Sequence, residues 1–123
     1  MRALELAIEF SLRDGSKLSL INVVTPPVVG ISDEGLAEMK KAGEAVLDEA
    51  EAKCLSSGVK ASKVLKVIEN SSTAYEIDQY AVDGKFDCVI LGSRGYAGKR
   101  GILMESLSVS LAISLPCTTI IVR

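Results

Sequence analysis

Residues 87–101 read DCVILGSRGYAGKRG, and the fold is decided there. Asp87 to Leu91 is a short, nearly continuous apolar run, which predicts a strand buried on both faces, the kind that parallel sheets contain. Gly92, Gly95, Gly98 and Gly101 then recur at three-residue spacing, so the strand empties into a glycine-rich loop. A helix follows around Met104 to Leu115. Pro116 ends it, because a helix interior has no place for a residue without an N–H, and Thr118 to Val122 reads as a last strand. Strand, loop, helix, strand is a βαβ unit, and its two strands run parallel.

The same alternation extends upstream. Ala3, Leu6, Ala7 and Phe10 recur at helical spacing and predict a first helix to about Arg13, stopped by Asp14-Gly15. Leu18 to Val24 is a second, nearly continuous apolar run that reads as a strand, closed by Pro26-Pro27. Ser32, Asp33 and Glu34 suit the start of a helix whose one face carries Leu36, Met39, Gly43, Val46, Leu47, Ala50 and Cys54, with Gly58 beyond its end. Val64 to Ile68 is the next strand, and Ser71, Ser72 or Thr73 caps a helix carrying Ala74, Ile77 and Ala81. The order predicts an α/β protein: a doubly wound, mostly parallel sheet with helices on both faces, in three layers α/β/α, forming a single domain over residues 1–123. Such folds usually open on a strand, whereas this chain opens on a helix.

Composition narrows the function. With 14 basic against 16 acidic residues and a net charge of −2, the chain lacks the overall positive field of non-specific nucleic-acid binding, so no nucleic-acid partner is expected and any anion site is local. There is no histidine. That excludes a Ser-His-Asp triad, a His general base and a His-ligated zinc. Cys54, Cys88 and Cys117 form no C-x-x-C pair and read as free thiols of a reducing cytoplasm, packed as small hydrophobes. Glu5 and Glu9 interrupt any signal-peptide core. Ser106 to Val122 carries no charge, but its serines and threonines and the break at Pro116 suit a helix and a strand better than a membrane span.

The remaining chemistry sits in the glycine-rich loop. Glycines let backbone N–H groups approach a phosphate, the following helix N-terminus adds partial positive charge, and Arg94, Lys99 and Arg100 supply cations. Ser106 adds a hydroxyl, or serves as a helix cap. Open α/β sheets take ligands at the carboxyl ends of their strands, where this loop falls. No residue of it has a visible general-base partner, so no catalytic residue and no protein-held metal are assigned.

The spacing Gly92-Ser93-Arg94-Gly95, nine residues, Glu105, Ser106, followed by Pro116-Cys117 and the strand ending at Val122, resembles the C-terminal half of the universal stress protein family. Asn22-Val23 and Asn70-Ser71 extend the resemblance across essentially the whole chain. It implies the adenine-nucleotide α-hydrolase-like layout and a cytoplasmic, homodimeric stress-response protein, some members of which bind ATP. Carried over residue by residue, it assigns nucleotide contacts to Val23, Gly92, Gly95 and Ser106, with Val23 against adenine, and the loop's own chemistry adds Arg94 as a phosphate contact. Two departures stand out. Glu105 occupies the position of a family glycine, and the family's first strand, which lies centrally, has no counterpart, so the resemblance implies a domain lacking that strand at its N-terminus. Either upstream chain, a partner's strand or closure of the flanking strands would fill the gap.

Two functions from different classes follow. The first is an ATP-binding module of weak affinity, with Mg²⁺ held through the phosphates and turnover slow or absent. The second is a dimeric regulatory or interaction protein of the same fold without nucleotide, pairing through its C-terminal strand. An ATP-dependent enzyme is disfavoured by the missing histidine and the missing Walker lysine.

Overall fold

The computed structural model describes residues 2–27, 29–92 and 101–122, with backbone alone for 101–105. The elements are α1 (Arg2–Asp14), β1 (Leu18–Val24), α2 (Asp33–Ser56), β2 (Ala61–Val67), α3 (Thr73–Asp83), β3 (Cys88–Gly92), α4 (Gly101–Ser114) and β4 (Thr118–Val122). Helix and strand alternate in the order the sequence predicts. Two compact units result, one of Ile8–Thr73 and one of Met1–Ala7 with Ala74–Arg123.

In the unit Ile8–Thr73, β1 and β2 pair in parallel from Leu18↔Ala61 to Val24↔Val67. Ser32 caps α2, its hydroxyl accepting from the Gly35 N–H at 3.0 Å, and Asp33 and Glu34 complement the helix dipole. One stripe of α2, namely Gly43, Leu47, Ala50 and Cys54, is buried. Gly43 makes the close approach possible: a Cβ there would lie 2.9 Å from both Leu65 Cδ1 and Val24 Cγ2, inside van der Waals contact. The helix ends where Gly58 takes a φ of +84°, a conformation that glycine adopts without strain.

In the second unit, β3 and β4 pair in parallel from Cys88↔Thr118 to Gly92↔Val122. Ala81 of α3, Leu111 of α4 and Leu115 just beyond that helix form the core, with Ile77, Phe86, Val89, Leu91, Leu107 and Cys117 packed against it. Fully burying a leucine such as Leu111 stabilises by roughly 1.5–3 kcal/mol.

Three expectations shift. In α1 the buried residues are Leu4 and Ile8, because its apolar positions span a wider arc than the stripe Ala3, Leu6, Ala7 and Phe10, which is half-buried. β2 begins at Ala61, where polar residues and a lysine conceal a strand edge. α4 begins at Gly101 rather than near Met104, since a glycine at a helix's first position forfeits little of what it costs in the interior. No helix among the described residues is long and apolar enough to cross a membrane.

Candidate functional site

β1 delivers Val23 to the next-to-last position of the strand. Its neighbours point the other way: the Asn22 amide donates to the Gly43 carbonyl of α2 at 3.1 Å, and Val24, 7 % exposed, packs beneath α2. Alternation then puts the Val23 side chain on the face turned from α2. The strand end is tied down beyond that point. The Ile68 N–H donates to the Val24 carbonyl at 3.0 Å, and the hydroxyls of Thr25 and Thr73 lie 3.4 Å apart, linking the end of β1 to the first residue of α3. Sequence reasoning had Thr73 only as a cap. Forty-eight residues separate it from Thr25, and no local signal carries such a pairing.

In the second unit Gly92 closes β3 at its carboxyl end, in register with Val122. Gly92, the first glycine of the series, therefore stands at a parallel strand's C-terminus. Arg94 and Gly95, with Lys99 and Arg100, lie outside the described residues. Ser106 is exposed and stands in the second turn of α4 rather than at its N-cap, because the helix opens at Gly101. For the same reason Glu105 is past the first turn, whose N–H groups are the ones an anion would use.

Among the described residues, Lys63 and the thiols of Cys54 and Cys88 have structural settings. Lys63 bonds Asp48 and, at 2.9 Å, Glu51, both on α2. These two hydrogen bonds, Asp48's first, raise its pKa above the ordinary value. A groove of about 280 Å³ beside it is lined by Glu44, Leu47, Asp48, Lys63 and Leu65, on the α2 face and so on the opposite face from Val23. Desolvation pushes the Cys54 thiol up, with Glu51 adding to it. Cys88 is raised likewise by desolvation, then by Cys117 and Asp87. Both shifts favour the neutral, unreactive thiol.

Parallel strands alternating with helices, carrying Val23 and Gly92 at their carboxyl ends, define an open α/β protein of the class that takes ligands beyond those ends. The family model for the universal stress protein family matches residues 1–123, and the chain belongs to that family. The universal stress protein YxiE of Bacillus subtilis (strain 168) is 27% identical over 135 residues, covering 99% of this chain and 89% of that protein. Among solved structures, the universal stress protein UspA from Lactobacillus plantarum superposes with a TM-score of 0.78 at 19% identity, over 99% of this chain and 88% of that one. The universal stress protein from Archaeoglobus fulgidus, solved in complex with dAMP, gives 0.74 at 16% identity, over 99% and 86%. These likenesses show the fold, a three-layer α/β/α architecture.

Proposed function

We propose that this chain is a nucleotide-binding module of the stress response, acting in the cytoplasm and holding ATP weakly, with Mg²⁺ entering on the phosphates. One observation carries the reading: Gly-x-x-Gly begins at Gly92, the last residue of a parallel strand, and Ser106 follows at the family's spacing. The dAMP complex of the Archaeoglobus fulgidus relative supports a nucleotide as the ligand class. Gly92, Arg94, Gly95 and Ser106 serve the phosphates and ribose, and Val23 the adenine. The chain binds rather than turns over its ligand, for it has no histidine and the thiols of Cys54 and Cys88 are pushed toward the neutral form.

The module works as a homodimer through β4. Support comes from the uncharged stretch Ser106 to Val122 and from exposed apolar side chains within it, Val109 and Ile113 on α4 and Ile121 on β4. Bare apolar strand edges invite pairing.

A second reading, a dimeric interaction protein without nucleotide, is favoured by Glu105 in place of the family's glycine. Thermal melting with and without Mg-ATP separates the two, because a ligand that binds only the folded state raises the midpoint. A rise supports the module; an unchanged midpoint at millimolar nucleotide supports the interaction protein.

A further inference from the structure

Val23 of β1 stands directly opposite Lys66 of β2 in the parallel register, and register partners in a sheet project to the same face. The identity of that face follows from α2. Asn22, Val24 and Leu65 meet Gly43, and Lys63 bonds Asp48 and Glu51, so this alternate set belongs to the helix-covered face. Lys66 and Val23 therefore share the other face, above Val64 and Ile21, which pair with each other one step down. Ser19, Ile21, Val23, Ser62 and Val64 are uncharged, and Lys66 is the single charged residue that the two described strands place there.

Lys66 is half-buried. Like Val23 it is the next-to-last residue of its strand, at the carboxyl end where open α/β sheets take ligands. Lys66 already engages another group in this structure, so meeting a ligand would exchange one partner for another.

We propose that Lys66 is a nucleoside contact beside Val23, its ammonium donating to an acceptor on that half of the ligand, a ring nitrogen or a ribose oxygen. The assignment rests on the reading of Val23 as the residue against adenine. An ammonium brings three donors and no acceptor, and a purine edge beside it offers ring-nitrogen acceptors, so the valine supplies apolar surface and the lysine polarity. The competing role is protective: an inward-pointing charge on a strand with one ladder partner discourages edge-to-edge aggregation.

Calorimetric titration of the full chain with AMP and with Mg-ATP tests this, using wild type, Lys66→Met, Lys66→Arg and Lys63→Met, each checked for folding by its melting transition. Lys66→Met should weaken AMP and ATP by the same factor, roughly ten-fold or more, the scale of a lost charged hydrogen bond. Lys66→Arg should recover most of that loss, and Lys63→Met, on the opposite face, should bind as wild type. Equal affinities for Lys66→Met and wild type would overturn the contact, and aggregation of a Met variant that still binds would assign Lys66 the protective role instead. A loss confined to ATP would overturn the placement on the nucleoside half. A wild type that binds neither nucleotide would overturn the functional reading itself and this contact with it.

Discussion

The side-chain amide of Asn22 donates to the main-chain carbonyl of Gly43 across 3.1 Å, so strand β1 and helix α2 are joined by a polar bond at a point of close approach. Here a helix residue without a side chain lets Leu65 and Val24 reach the helix backbone. Gly43→Ala would gain about 1 kcal/mol of helix propensity but force a methyl into space 2.9 Å from two apolar carbons. Overpacking of this kind costs roughly 1–3 kcal/mol. Urea denaturation should show a lower midpoint for the variant; a higher one would mean the strand and helix part without cost.

The ion cluster on the same face predicts a pH signature. The pKa of Lys63 is raised from its ordinary 10.5 by Asp48 first and Glu51 second. A cationic group with a raised folded pKa contributes stability that is complete below the unfolded value and fades as pH climbs through the folded one. The gap in urea midpoint between wild type and Lys63→Met should therefore stay constant between about pH 6 and pH 9 and close only in strongly alkaline solution. It should also narrow in high salt, since the side chains are partly exposed. A gap that widens above about pH 11 would contradict this assignment.

Much of the fold was legible because it is written in local patterns. Leu18–Val24 and Thr118–Val122 are strands with the boundaries their apolar runs suggest, and Ser32 caps α2 as its sequence position implies. What stayed hidden depends on partners. Lys63 is a strand residue because β1 and α2 hold it there. Gly101 opens a helix although the glycine spacing reads as loop. The pairing of Lys66 with Val23 follows from register, which joins residues 43 apart in sequence and leaves no periodic trace. Of the candidate site, Val23 and Gly92 stand at the carboxyl ends of parallel strands as read, whereas Ser106 lies deeper in its helix than its spacing suggested.

The dimer prediction turns on β4. Val122 is half-buried beside Gly92, and Ile121 is 39% exposed. Sedimentation at micromolar concentration should give the mass of two chains for wild type, and Val122→Lys should shift it toward one, because a charge at a paired strand edge opposes association. A wild-type monomer at that concentration would remove the dimer from the account.

Glu105 is expected to weaken the phosphate site through its charge. One negative charge 4 Å from a phosphate oxygen costs about 1 kcal/mol in water-like surroundings and about 4 at an effective dielectric of 20, or roughly five-fold to a thousand-fold in affinity. Its place beyond the first turn of α4 puts the effect toward the lower end, since the free N–H groups precede it. Glu105→Gly should bind Mg-ATP at least about five-fold more tightly, while costing about 1 kcal/mol of helix stability. Equal affinity in the two proteins would show that the carboxylate stands clear of the ligand.

Nucleotide binding by the folded chain is tested by the melting transition of the wild type followed across a Mg-ATP titration into the millimolar range, with Mg²⁺ alone as the blank. Weak, saturable binding at ten times the dissociation constant stabilises the fold by about 1.4 kcal/mol, a rise of roughly 5 °C in midpoint. That rise is expected, appreciable only at high nucleotide and continuing with the logarithm of its concentration. A midpoint identical to the Mg²⁺ blank at every ATP concentration would contradict it.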